Sequence, residues 1–416
     1  MKVCIVGSGI SGLAIANLLS SKGHDVVVYE QASQIGGLIK CTKEDGNLFH
    51  RVGGHVFNSK NQEVLDWFWS FFDKGNEFLK ARRQARIFID NSYINYPIEN
   101  HLYQLEPEKV RIIITELLNR NESQGYSNFA DFLRGTFGTT LYNYYFKPYN
   151  EKIWNVSLDT IPLDWLEGKL PMPNVSDVFL NNILRQSESE MVHATFYYPK
   201  QNGSQFIVNR LAQNINIKTQ KEFISAFQNE NGWIVNDEIA FDRIVYTGDI
   251  RELDNKIISP DTDLISHLNV AKTFSFNGTS NALCYTDPSN DSWLYFPEKK
   301  YLAHRIIYTG NFSVSNNASN EKTCVVEFSG RQEMDKMKKE IAKMPGNLKP
   351  IAFNYEPNSY IINSANTRQV VDSIKSHLEP RGVYLLGRFA EWQYYNMDKC
   401  IEAAFEVANE IDGIHK

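Results

Sequence analysis

The first thirty residues constrain this chain more than any other stretch. Val3-Cys4-Ile5-Val6 is a short apolar run, and Gly7-Ser8-Gly9-Ile10-Ser11-Gly12 follows at once. Leu13 to Ser21 is patterned as a helix, Val26 to Tyr29 as a second strand, and Glu30 ends it. Strand, glycine turn, helix, strand and acid in that order predict a dinucleotide site. Gly7 permits the tight turn, Gly9 lets a pyrophosphate approach the backbone, and Gly12 lets helix and strand pack closely. Free N–H groups and the dipole at the helix start, beside Ser11, favour phosphates. Glu30 is placed to accept hydrogen bonds from a ribose.

The rest of the composition excludes more than it specifies. With 416 residues the chain can hold two or three domains. A formal net charge of -6 argues against a general nucleic-acid binder but admits an anionic small ligand held by local arginines. Cys4, Cys41, Cys284, Cys324 and Cys400 are scattered, without metal spacing, so no metal site is expected and a reduced cytoplasmic protein is. Glycine and serine interrupt the apolar N-terminus, which reads as folded strand and helix rather than a leader. No stretch is long enough to predict a membrane span.

Beyond Glu30, Gly36-Gly37-Leu38 is a second close-approach point, and it suits a flavin better than NAD, so FAD is the expected dinucleotide. Gly53-Gly54-His55 holds a second glycine pair; its histidine can sit on a bending loop near a reactive ring, but the residues alone favour a loop histidine that bonds only backbone. Asn61 to Asp73 predicts an aromatic-faced helix. Arg83 to Tyr96 alternates like strands turning at Asp90-Asn91-Ser92. Glu106 to Arg120 predicts a helix, and Asn128 to Phe146 predicts helices broken at Gly135 and Gly138. Thr195 to Tyr198 reads as a strand, and Phe223 to Phe227 with Trp233 to Val235 as a hairpin turning at Asn231-Gly232. Arg243 to Gly248 reads as a buried strand rejoining the nucleotide sheet. Val270 to Asn277, Ser292 to Phe296, His304 to Thr309 and Thr323 to Ser329 predict an antiparallel sheet. Gln332 to Lys343 predicts a helix, Gly382 to Gly387 a last buried strand, and Asp398 to Ile411 a helix behind it.

The expected architecture is α/β: a Rossmann-like FAD-binding domain with an inserted helical domain and an antiparallel β-sheet domain. Residues 1–80, 200–262 and 375–416 form the first, 98–170 the second, and 81–97, 171–199 and 263–374 the third. Arg305 and Arg388 lie near strand ends among Trp293, Tyr295, Phe296, Trp392, Tyr394 and Tyr395. Guanidinium groups match diphosphate oxygens in bidentate fashion, and aromatics interleaved with arginine in loops suit a ring and phosphates.

At this point the chain resembles the UDP-galactopyranose mutase family. The likeness runs through the glycine turn, Gly53-Gly54-His55, Asn95-Tyr96-Pro97, Lys147-Pro148-Tyr149-Asn150-Glu151-Lys152-Ile153-Trp154 and Val245-Tyr246-Thr247-Gly248. It continues in Trp293-Leu294-Tyr295-Phe296-Pro297-Glu298, Leu386-Gly387-Arg388-Phe389 and Tyr394-Tyr395-Asn396-Met397-Asp398. The resemblance implies a flavin-dependent isomerase that interconverts pyranose and furanose forms of a nucleotide-diphosphate sugar, UDP-galactose first, for galactofuranose and cell-surface polysaccharide biosynthesis. Its chemistry is nucleophilic attack of reduced FAD N5 on the anomeric carbon, so an external reductant such as NAD(P)H or a reductase is implied. A homo-oligomer, with no nucleic-acid partner and no membrane insertion, is expected.

The resemblance also implies roles. His55 sits beside the flavin; Arg305 and Arg388 hold the diphosphate with Tyr360 and Tyr394. Asn150, Trp154 and Lys169 line the sugar side, and Tyr96, Trp293 and Tyr295 lie toward the base. Gly248, Gly387, Asn396, Met397 and Asp398 complete the cofactor site, Asn396 also touching the sugar. Glu99, Lys169 and His193 depart from the family pattern, which leaves the sugar and base open to a dTDP-sugar or another UDP-sugar. Two other readings stay open: an FAD-dependent oxidase or desaturase of the amine oxidase or protoporphyrinogen oxidase type, and a flavin-free binding protein like the GDP-dissociation inhibitors.

Overall fold

The computed structural model describes residues 1–120, 125–163, 174–185, 194–319 and 321–413. A five-stranded parallel sheet carries the glycine turn, in the order Val383–Leu385, Arg243–Tyr246, Lys2–Val6, Asp25–Glu30 and Asn216–Thr219. Its inner strands are rich in buried apolar residues because helices cover one face and a small four-stranded sheet with two further helices covers the other, while the edge strand Asn216–Thr219 is polar. The helix Ile10–Ser21 packs beside the C-terminal helix Met397–Ile411 on one face. Leu13, Ile15, Leu19, Ile401 and Ala404 are fully buried there.

The second sheet has seven strands, in the order Lys349–Ile361, Phe276–Thr286, Lys322–Ser329, Ala303–Ile307, Trp293–Tyr295, Ala85–Ile89 and Ser92–Asn95. It is antiparallel except where Trp293–Tyr295 meets Ala85–Ile89, which run parallel. The chain enters this sheet twice, so that junction joins segments about two hundred residues apart without a hairpin. Helices Pro107–Leu118, Phe129–Leu141 and Lys147–Trp154 pack in a cluster with its far end. Lys152 ties them to the sheet, donating from Nζ to the carbonyls of Phe296 at 2.6 Å and Glu298 at 2.7 Å.

Several expectations need correction. Val270 to Asn277 is not a strand: Val270 and Ala271 end the helix Thr262–Ala271, which the Asp261 side chain caps, and the strand begins only at Phe276. Gly135 does not break its helix; a Cβ there would stand 2.2 Å from the Tyr126 ring, so the glycine serves packing. Gly138 is the kink, with φ 81° and ψ 160°. Glu116 fills the space beside it and accepts from Thr140 N at 2.8 Å and Thr140 Oγ1 at 2.9 Å. The expected boundary at 374/375 falls inside the helix Thr367–Leu378. That helix and Thr262–Ala271 pack against each other in the core of the parallel sheet, so both go with that sheet rather than with the second one.

Candidate functional site

The glycine turn is built as its spacing predicts. Gly7 has φ +98°, and a Cβ on Gly12 would stand 2.0 Å from the Gly7 carbonyl oxygen, so neither position admits a side chain. Gly37, at φ +54°, faces Gly9 across the chain; its Cβ would lie 3.2 Å from Gly9 Cα. The two glycines leave a bare backbone cleft between them. Glu30 accepts from Ser8 N at 3.0 Å, Ser8 Oγ at 2.6 Å and Ala32 N at 2.8 Å. Those bonds orient the carboxylate and leave lone pairs for a ribose.

Two helices begin here without side-chain caps. Gly9 cannot cap Ile10–Ser21, and no acid occupies that helix's first turn. Asn396 precedes Met397–Ile411 and makes no cap bond, although Asn61 and Asn128 cap their own helices. Capping asparagines silence the N–H groups that an anion would use. The Ile10–Ser21 end, uncapped and free of acids, suits a phosphate, whereas the Met397–Ile411 end carries Asp398 in its first turn.

The cavity between the two sheets has a volume of about 570 Å³. Of the residues expected at the site, Gly7, Gly9, Ser11, Glu30, Gly37, Leu38, Gly54, His55, Gly248, Asn396 and Met397 line it, as do Trp293, Tyr295, Arg305, Tyr360, Arg388 and Tyr394. Gly12 and Gly387 stand behind the wall. Gly387, at φ +98°, lets the last strand meet Ser11, whose Oγ a Cβ would approach to 2.5 Å. Asp398 is buried in the first turn of the C-terminal helix, and burial raises its pKa.

Three substrate-side expectations are displaced. Asn150 donates from Nδ2 to Phe146 O in its own helical segment at 2.7 Å and does not line the cavity. Trp154 packs edge-on against Tyr360 and Tyr394, with ring centres 5.6 and 5.8 Å away, and borders a separate narrow cleft. Tyr96 stands behind Tyr295 at 5.2 Å. Glu99 is buried in a short helical turn, its carbonyl held by Asn182 Nδ2 at 2.8 Å. Lys169 and His193 lie outside the described residues.

The arginines differ in what they hold. Arg305 Nη2 donates to Glu327 Oε1 at 2.8 Å and Oε2 at 3.0 Å, and sits 3.3 Å from the Tyr360 hydroxyl. Glu327, 1% exposed, also accepts from Tyr360 at 2.9 Å and lies 2.8 Å from His304 Nε2. Burial alone would raise the Glu327 pKa; Arg305 and His304 outweigh it and hold the carboxyl well below its ordinary range. Arg388 donates to two backbone carbonyls, Tyr395 at 2.6 Å and Ser359 at 3.0 Å, and lies 4.7 Å over the Tyr394 ring. His55 is pushed down to about 3 by burial, then by His50 and Arg388, so its imidazole is neutral at physiological pH. The His55 Nδ1 and Arg305 Nε atoms are buried without partners among the described residues. Of the buried unpartnered polar atoms, these two and Arg83 Nε belong to residues lining the cavity, where a ligand would satisfy them.

Sequence reasoning missed Glu327 and Arg83, both in the cavity wall. Glu327 faces Arg305 in strand register, a neighbourhood that exists only once Ala303–Ile307 pairs with Lys322–Ser329. Arg83 sits in a run of arginines and gives no signal of which one turns inward.

The comparisons agree with this geometry. Residues 5–74 match the model of NAD(P)-binding Rossmann-like domains. The chain is 23% identical to UDP-galactopyranose mutase of Mycoplasma genitalium over 98% of this chain and 94% of that one. It is 29% identical to dTDP-fucopyranose mutase of Escherichia coli over 41% of this chain and 46% of that one. Reduced UDP-galactopyranose mutase, in its crystal structure, has the same fold, with a TM-score of 0.89 at 18% identity over 100% of this chain and 96% of that one. No described helix is long and apolar enough to cross a membrane.

Proposed function

We propose that this chain, which belongs to the UDP-galactopyranose mutase family and so to the isomerases, interconverts the pyranose and furanose forms of a nucleotide-diphosphate sugar with reduced FAD. UDP-galactose is the first candidate. The local likeness to dTDP-fucopyranose mutase keeps a dTDP-sugar as the second. One observation carries the reading: Arg305 and Arg388 line the same cavity as the glycine turn and His55.

Gly9, Gly37 and the open start of the first helix would hold the FAD pyrophosphate, and Glu30 its ribose. Asn396 and Met397, at the open start of the C-terminal helix, would face the flavin. Bound reduced FAD would supply N5 as the nucleophile that displaces the nucleotide diphosphate from the anomeric carbon. The protein's own task is then positioning and charge. Arg388 and the unpartnered Nε of Arg305 would stabilise the departing diphosphate. Tyr394 would add a hydroxyl donor, while Tyr360, whose proton goes to Glu327, would hold the Arg305–Glu327 pair in place. Neutral His55 would bond the flavin edge through whichever ring nitrogen is protonated. No carboxylate pair for acid–base work is needed.

The test is turnover of UDP- and dTDP-sugars with dithionite-reduced and with oxidised protein, read by chromatography for a furanose product. Reduced protein should be active and oxidised protein inactive; equal rates would remove the mechanism. Arg305→Ala and Arg388→Ala should each lose at least ~100-fold in kcat/KM while retaining flavin. Rapid oxygen consumption with an amine or a hydrophobic ring substrate would favour an oxidase instead.

A further inference from the structure

Arg83 lines the cavity, and its guanidinium is enclosed by uncharged groups. Its Nη2 donates to the Tyr295 hydroxyl. Its Cζ lies 4.9 Å from the Tyr96 ring centre and 5.2 Å from that of Trp293. Its Nε is buried and meets no acceptor, and no carboxylate among the described residues pairs with it. Three residues further on, Arg86 shows what a neutralised arginine looks like here: it donates twice to Asp291, at 2.7 and 2.6 Å. The chain therefore compensates one of these two charges and leaves the other without an anion. Aromatic faces and one hydroxyl stabilise a guanidinium far less than a carboxylate does. An enclosed charge of this kind is a signature of a site that receives its counter-ion with the ligand.

Its place in the cavity says which part of a ligand it meets. Tyr295 lies directly across from Arg305 on the neighbouring strand, so their side chains leave the same face of the sheet as neighbours. Arg83, bonded to Tyr295, thus shares the cavity wall with Arg305. Glu327 cancels the charge of Arg305. Three guanidinium groups against one buried carboxylate leave two positive charges on this wall. A sugar nucleotide's diphosphate carries the same number of negative ones.

We infer that Arg83 is a third diphosphate-gripping residue, held between Tyr96 and Trp293, and that it sets the affinity for the nucleotide part of the substrate. The inference rests on the function proposed above. Its test is calorimetric titration of the flavin-loaded wild type, Arg83→Ala, Arg83→Gln and Arg83→Lys with UDP, dTDP, inorganic pyrophosphate and the two nucleosides. The diphosphates that wild type binds should weaken about ten- to hundredfold in Arg83→Ala and Arg83→Gln. Arg83→Lys should recover part of the loss, and nucleoside binding should change less than about twofold. If Arg83→Ala does not fold, Arg83→Gln against Arg83→Lys carries the same comparison. Unchanged diphosphate affinity in a folded variant, or equal losses for diphosphate and nucleoside, would overturn the role of Arg83 alone. Wild type binding neither nucleoside diphosphate nor pyrophosphate would overturn the proposed function together with it.

Discussion

Replacing Glu327 by glutamine removes one charge at the most enclosed ion pair of the cavity wall. The carboxylate is 1% exposed and has three partners: Arg305, Tyr360 and His304. Glutamine keeps the shape, but its amide nitrogen would set a donor against the Arg305, Tyr360 or His304 donors. Arg305, with its side chain 24% exposed, would also lose its counter-charge. Breaking one partner of a buried pair costs about 3–5 kcal/mol. With an unfolding entropy of about 2.1 cal/mol/K per residue, a chain this long melts with roughly 0.9 kcal/mol/K. Glu327→Gln should therefore lower Tm by about 3–6 °C at pH 7, measured by circular dichroism on flavin-loaded protein. The Glu327 pKa is depressed in the folded state, so its contribution is present above the ordinary value of 4.5 and is lost as pH falls through the lower folded value. The gap between variant and wild type should narrow in that direction. Arg305→Met combined with Glu327→Gln should cost at least ~2 kcal/mol less than the two single losses added, because no unpaired charge remains. Additivity within about 0.5 kcal/mol, or a variant melting with wild type, would refute the pairing argument.

Gly12→Ala places a Cβ 2.0 Å from the Gly7 carbonyl and should yield colourless protein. Gly23→Ala, at φ +83° with open space around it, should cost about 1 kcal/mol through backbone strain and stay yellow. Absorbance at flavin wavelengths separates the two. Burial pushes His50 down to about 4, against an ordinary value of 6.5. Between those values the unfolded chain binds the proton that the folded chain refuses, so stability falls as pH drops from 6.5 toward 4, by roughly 1.4 kcal/mol per unit. His50→Gln should flatten the slope of urea stability against pH in that window by about one proton; identical slopes would show His50 is not held neutral.

Much of the dinucleotide half was legible because its signals are local. Gly7, Gly9, Gly12 and Glu30 lie within one strand–turn–helix–strand unit, and each does its work against a near neighbour in the chain. The helix Thr367–Leu378 was equally readable from Val370, Val371, Ile374 and Leu378, and its omission moved a domain boundary. The strand Lys349–Ile361 was not readable. Pro350, Pro357 and a run of polar residues disguise it, and it is tolerated because it is an edge strand, paired on one side only.

The arginine-lined wall of the cavity belongs to the tertiary structure. His55 and Arg388 announce themselves through motifs and Arg305 and Tyr360 through the resemblance, but nothing in their spacing says that Arg305 is neutralised by Glu327 while Arg83 is not. That distinction depends on which strands pair and in what register, with Ala85–Ile89 running parallel to Trp293–Tyr295 from the far side of the chain. Asn150 and Trp154 show the same limit: their motif marks a helix next to the site, and only packing decides which of its faces turns away. The sequence by itself determined the cofactor's cradle, because turns and helix starts are short-range objects. Which charges stay unpaired in the cavity was decided by sheet register, which couples residues up to about two hundred positions apart.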